Sequence, residues 1–339
     1  MKTQIKARVR ATSYALPSTL LTNDMLAAEH PDWKVEKMSG KTGIRNRHVA
    51  GPDVFTSDLA VSAAKVLFDA HTITPADVDY LIVCTQSPDF FLPSTACIVQ
   101  AQLGMRADVG AVDITLGCSG FIYALSLAKG LIESGQVRNV LVITAETHSK
   151  FANSDDKSTR PIFGDGAAAT FVVGDSLVDG MTGIILGTDG AGGPVLVVPN
   201  GGLRDAATYS PKSSVTTRGI ETNGHDMYMD GLEVFNFTIR VVPGVVREVL
   251  EKSRITMNEI DLIIFHQANR YLIEHLRKKL EIPLEKFVVA LENYGNTGSS
   301  TIPIALSDAV DAGRVKSGDK ILIVGFGVGL SWGGMVMTW

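Results

Sequence analysis

Two copies of one plan lie along this chain, and that repeat limits what it can fold into more than any other feature. Gly117-Cys118-Ser119-Gly120 and Gly295-Asn296-Thr297-Gly298 match at an offset of 178 residues, which Gly135 and Val137 keep to Gly313 and Val315. In each copy a Gly-x-Ser/Thr-Gly turn opens a helix-like run. Each run closes near a glycine and leads into an apolar strand, Val140 to Thr144 in one and Ile321 to Val324 in the other. Upstream, Thr74 to Cys84 resembles Thr256 to His266 at an offset of 182, so the copies differ by a few loop residues. A repeat of this length implies two α/β halves related by pseudo-symmetry and packed as one unit. We place them at 1–175 and 176–339.

The strand-like runs are short and continuously apolar: Tyr80 to Val83, Val140 to Ile143, Leu262 to Phe265 and Ile321 to Val324. Helix-like runs such as Ser57 to Ala70, Phe121 to Glu133 and Val234 to Ser253 lie between them. That alternation predicts mixed or parallel sheets covered on both faces. With 45% hydrophobic and 20% charged residues, a chain of 339 residues has ample material for a core. Its net charge of −5 argues against nonspecific binding to nucleic acid. No run reaches the length of a membrane span, and Met1 to Lys6 lacks the apolar segment of a signal peptide. Three cysteines at unrelated spacings suit a reducing cytoplasm, and the histidines show no metal-ligand spacing.

Ligands of such folds sit beyond the carboxyl ends of strands. His266 follows the run Leu262 to Phe265 there, and Cys118 and Asn296 open the two repeat helices. A thiol at a helix start feels the positive end of the helix dipole, which favours the thiolate. Each residue also has an ordinary reading. Cys118 is then an inert buried thiol, His266 a satisfied polar group, and Asn296 a turn residue. Gly164-Asp165-Gly166 and Gly190-Ala191-Gly192-Gly193 do not follow the dinucleotide pattern and read as structural turns, the first supporting the site.

The ordered set Gly-Cys118-Ser-Gly-Phe, His266-Gln-Ala-Asn-Arg, Gly-Asn296-Thr-Gly-Ser-Ser-Thr and the terminal Gly325 to Gly333 resembles β-ketoacyl-acyl-carrier-protein synthase III. The resemblance runs nearly end to end, through Thr42-Gly43-Ile44-Arg45-Asn46-Arg47 and Phe163-Gly164-Asp165-Gly166-Ala167. It implies a thiolase-like αβαβα architecture of five layers, a homodimer and an acyl carrier protein as partner. It implies no permanently bound cofactor, with an acyl-CoA or acyl-carrier thioester and malonyl-acyl-carrier protein as substrates. Cys118 would carry the acyl group, while His266 and Asn296 would stabilise the enolate left by decarboxylation. The oxyanion loop would be Phe326-Gly327-Val328-Gly329, with Val328 interrupting the family's usual three glycines.

Departures from the family fall on the substrate positions. Trp33 is present, but Lys41 and Lys157 stand where arginines usually flank the adenine of coenzyme A, with Arg160 close to the latter. Lysine lacks the planar fork that stacks on a base, so the expected donor is a carrier thioester or an uncommon acyl-CoA. Leu92 stands where the family limits the acyl pocket across its dimer, often with Phe; Phe235 and Asn269 match positions lining the pantetheine tunnel. Arg270, Arg277, Lys278 and Lys279 form a basic stretch suited to an acidic carrier, or simply a solvated helix face. Competing classes are an acyltransferase passing the group from Cys118 to an alcohol or amine, a non-catalytic assembly partner and a cysteine hydrolase. Asn296, intact Cys118 and the lack of an acid beside His266 speak against each in turn. General fatty-acid synthesis and specialised lipid or polyketide synthesis are both open.

Overall fold

A computed structural model describes residues 5–175, 180–204, 216–217, 220–221 and 224–339. Residues 1–4 of the N-terminal run read above lie outside the described residues.

One sheet has five strands in the order Lys6–Ala15, Gly166–Asp175, Asn139–Glu146, Tyr80–Cys84, Gly110–Ile114. A second has four, in the order Met181–Thr188, Ser331–Thr338, Lys320–Gly327, Leu262–Phe265. In both, the first three strands pair antiparallel and the next pair is parallel. The four-strand order and sense are therefore the same in the two sheets, which is the pseudo-symmetry legible in the repeat.

Alternation along the strands explains the layering. Ile82, Val140 and Val142 of one sheet, and Ile264, Ile321 and Ile323 of the other, turn inward onto the helices Gly120–Glu133 and Thr301–Asp311. These two helices belong to one apolar cluster with both sheets, so they form the middle layer. Leu81, Val83, Leu141 and Ile143 turn outward onto Thr56–His71 and Thr95–Gln102. Ile263, Phe265, Leu322 and Val324 turn outward onto Gly231–Ser253 and Arg270–Lys279. The result is the expected αβαβα stack of five layers. Strands buried on both faces need apolar residues at every position, which is why they read as unbroken runs.

The middle-layer helices turn most of their surface to the two sheets, and their sequences show it. Phe121, Ile122, Ala124, Leu125, Ala128 and Ile132 are all fully buried. Truncating Leu125 to alanine would cost about 2–5 kcal/mol by the usual cavity penalty. Among the described residues, no helix is long and apolar enough to cross a membrane.

Candidate active site

Cys118 and Asn296 occupy equivalent places, each just before the first turn of a middle-layer helix. His266 directly follows the strand Leu262–Phe265, at its carboxyl end. All three are at most 6% exposed. They line one cavity of about 380 Å³ together with Phe235, Asn269 and Gly327. A second cavity of about 300 Å³ also contains Cys118, with Val328 and His148 in its wall. The sulfur therefore stands where two cavities meet.

Glycine at 327 is required by close approach. A Cβ there would lie 2.7 Å from Cys118 Cβ and 2.8 Å from its sulfur. That proximity lets the Val328 backbone N–H donate to the Cys118 sulfur. Ser331 Oγ donates to Val328 O at 2.7 Å and lies 2.7 Å from Ser119 Oγ, so two hydroxyls lock the loop to the cysteine turn. Burial pushes the Cys118 thiol up to about 12, against the downward pull of the Val328 N–H. The lowering expected of a helix start is outweighed by desolvation, and the resting sulfur keeps its proton at neutral pH. Alkylation of Cys118 by iodoacetamide, followed by intact mass, is accordingly expected to accelerate about tenfold per pH unit from 7 to 9. A plateau below pH 8 would contradict the protonated resting state.

Burial is also the main cause that holds His266 down at about 3, with His148 adding to it. The ring is neutral across the physiological range. Thr301 Oγ1 lies 2.7 Å from His266 Nδ1 and is also placed to donate to Gly298 O at 3.1 Å, with one proton to give to either. When the hydroxyl donates to Nδ1, the ring's own proton sits on Nε2. The adjoining Gln267 is a strut: its amide donates to Phe265 O at 2.6 Å and accepts from Ala290 N at 2.8 Å.

Asn296 is held by its backbone. Its N–H donates to Ile162 O at 2.8 Å, and its carbonyl accepts from Gly164 N at 3.1 Å. Gly164 admits this approach because a Cβ would sit 2.2 Å from Tyr294 O. The side-chain Oδ1 accepts from Gly298 N at 3.0 Å, which leaves the NH₂ as the group offered to the cavity. Behind this turn lies Glu146, fully buried. Its carboxylate accepts from Gln86 N at 3.0 Å, Ser87 Oγ at 3.1 Å and Ser299 Oγ at 2.8 Å, with His148 Nε2 at 3.1 Å. Burial alone would lower the His148 pKa, but Glu146 more than reverses this and the net shift is upward.

Other sequence candidates lie elsewhere. Trp33 is buried in a small cluster with Leu21, Leu26 and Val35, its ring stacked on His30 at 4.0 Å. The Lys157 ammonium is 5.8 Å from the Trp33 ring centre and 2.9 Å from Asp32. Lys41 is exposed in the last turn of Val35–Thr42. Leu92 is 87% exposed, outside both cavities. Asn269, besides lining the larger cavity, caps the helix Arg270–Lys279 by accepting from Leu272 N at 2.9 Å. In the basic stretch, Arg270 pairs with Glu292, Arg277 pairs with Glu274, and Lys279 donates to Ile239 O. Thr301, Glu146 and the Ser119–Ser331 pair carried no sequence signal beyond their places in or near the repeat motifs.

Comparison with known proteins agrees with this geometry. Residues 112–190 match the family model described as 3-oxoacyl-[acyl-carrier-protein (ACP)] synthase III, and residues 250–339 match the model of its C-terminal part. A β-ketoacyl-[acyl-carrier-protein] synthase III of Caldanaerobacter subterraneus is 43% identical, covering 99% of this chain and 98% of that protein. One from Clostridium perfringens is 41% identical over 94% of each. A crystal structure of a 3-oxoacyl-(acyl-carrier-protein) synthase III superposes with a TM-score of 0.93 at 42% identity, covering 98% of this chain and all of that one. The β-ketoacyl-[acyl-carrier-protein] synthase III structure from Thermus thermophilus gives 0.87 at 37% identity, covering 98% and 99%.

Proposed function

The chain belongs to the 3-oxoacyl-[acyl-carrier-protein] synthase III family of condensing enzymes, and from that premise we propose that Cys118, His266 and Asn296 perform its carbon–carbon bond formation. The reaction is a decarboxylative Claisen condensation of an acyl thioester with malonyl-acyl-carrier protein, a step of fatty-acid synthesis. The observation that carries the residue assignment is their convergence on one cavity.

In the first step the Cys118 sulfur attacks the thioester carbonyl. The backbone N–H groups of Cys118 and Val328 are the donors for the oxyanion, and the departing thiol takes the sulfur's proton. The malonyl thioester then enters past Phe235 and Asn269 and loses CO₂. Its enolate oxygen receives hydrogen bonds from His266 Nε2–H and the Asn296 amide. The carbanion attacks the acyl carbonyl on Cys118, and the sulfur leaves. Decarboxylation supplies the carbanion, so no base is needed, which suits a histidine that stays neutral and an asparagine that cannot be one.

A pH dependence follows. With His266 held at about 3, the condensation of pre-acylated enzyme with malonyl-carrier should be flat from pH 5.5 to 8. An acid limb centred near the free-histidine value, about 6.5, would count against a neutral donor. The sign for stability is the reverse of that for a histidine paired with a carboxylate. The folded value lies below the unfolded one, so this contribution is full above about pH 6.5 and is lost as pH falls toward 3. Denaturation midpoints measured against pH should fall over that window, and fall less in His266→Gln.

We also divide the chain into thiolase-like halves at 1–175 and 176–339. We propose a cytoplasmic homodimer with no resident cofactor. Dimerisation is supported by the exposed run Phe90, Phe91 and Leu92, and by Gly110–Ile114 at an open sheet edge. Trp33 already stacked on His30 supports a donor other than acetyl-CoA, and the lysines of Arg270–Lys279 support docking of an acidic carrier. The test of the whole reading is intact-mass analysis with a panel of acyl donors, then malonyl-carrier. A mass gain on Cys118 discharged as a carrier-bound β-ketoacyl product is expected. An acyl-Cys118 that malonyl-carrier cannot discharge would redirect the assignment to transfer onto an alcohol or amine.

A further inference from the structure

Val328 stands at the reacting sulfur in two capacities. Its backbone N–H donates to Cys118 Sγ, and the residue lines the cavity of about 300 Å³ that Cys118 shares with Phe151, Phe163, Leu196 and Met227. Its Cβ is two bonds from that nitrogen, so the side chain stands beside the first atoms of any chain attached to the sulfur. The residue is half-buried, which leaves surface free to meet such a chain. The larger cavity is lined by Gly327 and not by Val328, so the side chain bears on the acyl group rather than on the incoming malonyl group. It has little freedom to step aside. Its Cγ1 lies 2.8 Å from the point a Cβ of Gly117 would occupy, so it already rests against Gly117, and Gln86 Oε1 lies 2.3 Å from the same point. Ser331 Oγ holds the Val328 carbonyl at 2.7 Å, and a β-branched side chain has few rotamers open to it.

We propose that Val328 makes this enzyme select acyl donors that are unbranched at C2, the carbon next to the thioester carbonyl. With the carbonyl oxygen held by the Val328 N–H, the substituents on C2 are the atoms that must share space with the valine methyls. A straight chain places one carbon there, and a chain with a methyl on C2 places two. Close packing that accommodates the first is overfilled by the second. A methyl on C3 lies one bond further from this wall and is spared. Val328 thus determines specificity through its side chain while its backbone serves the oxyanion. This inference rests on the reading of Cys118 as the acylated residue and of the smaller cavity as the seat of its acyl chain.

The experiment times acylation of Cys118 by intact mass with isomeric donors, each on coenzyme A and on acyl carrier protein. The pairs are isobutyryl against butyryl, which differ by a branch at C2, and 3-methylbutyryl against pentanoyl, which differ by a branch at C3. Wild type is expected to load isobutyryl slower than butyryl by about tenfold or more, the discrimination one misplaced carbon commonly gives in a tight pocket. The second pair should agree to within about threefold, because its branch clears the valine. Rates are compared as ratios within each protein, so a general loss of activity in a variant cancels. Val328→Ala should bring the first ratio close to one, whereas Val328→Thr, of the same shape, should keep it. Wild type loading isobutyryl as fast as butyryl overturns the proposal, whatever the variants do. So does equal slowing by both branches, a first ratio unchanged in Val328→Ala, or one that Val328→Thr relaxes just as fully. Loading with no discharge by malonyl-carrier would fault the condensation reading alone. Loading by no donor at all overturns both.

Discussion

Cys118→Ala should lose condensation by about 10⁴-fold or more, the scale seen when a covalent nucleophile is removed. Intact mass should show no acyl adduct at any donor concentration. The fold should be kept, because the thiol contributes no structural bond beyond its contact with the Val328 N–H, and alanine fits the same space. An acyl adduct retained in Cys118→Ala would move the nucleophile to Cys84 or Cys97. Both have reasons to be passive. Cys84 is fully buried, with burial and Glu146 raising its pKa and its sulfur 3.0 Å from Leu116 O. Cys97 is exposed beside Ser94 and lines neither cavity at Cys118.

The second large effect separates the two half-reactions. His266→Ala and Asn296→Ala should load Cys118 at near wild-type rates and then stall. Loss of one donor to a developing oxyanion typically costs 10²–10³-fold, so condensation should fall by about that factor in each. The acyl-enzyme should accumulate in the mass spectrum as malonyl-carrier is added. Asn296→Asp should stall as well, since a carboxylate accepts where the amide donates. If either alanine variant loaded Cys118 a hundredfold more slowly but discharged normally, that residue would belong to the first step instead.

The catalytic candidates are legible because each stands in a short contiguous motif at a repeat-defined turn or strand end. Cys118 and Asn296 announce themselves by the matched glycines, and His266 by the apolar run that ends at Phe265. What holds them is not legible. Ser119 meets Ser331 across 212 positions of sequence, and Glu146 meets Ser299 across 153. Such contacts are set by how two sheets stack on one helical layer, and no local pattern encodes that. Charge state escapes the sequence for the same reason. A cysteine at a helix start suggests a thiolate, but the desolvation that reverses this comes from walls contributed by the whole chain. Trp33 is a further case. The family resemblance implies an open ring beside the adenine of a ligand, whereas His30, three positions earlier, stacks on it.

Glu146 draws its donors from both sides of the seam: Gln86, Ser87 and His148 from one repeat, and Ser299, in the same turn as Asn296, from the other. Two repeats packed out of register would leave the Glu146 carboxyl buried and short of a donor. That state is penalised relative to the finished one, and the penalty is relieved only when the Asn296 turn arrives. Seating of the Asn296 turn and completion of the Glu146 hydrogen bonds are thus coupled across the two repeats.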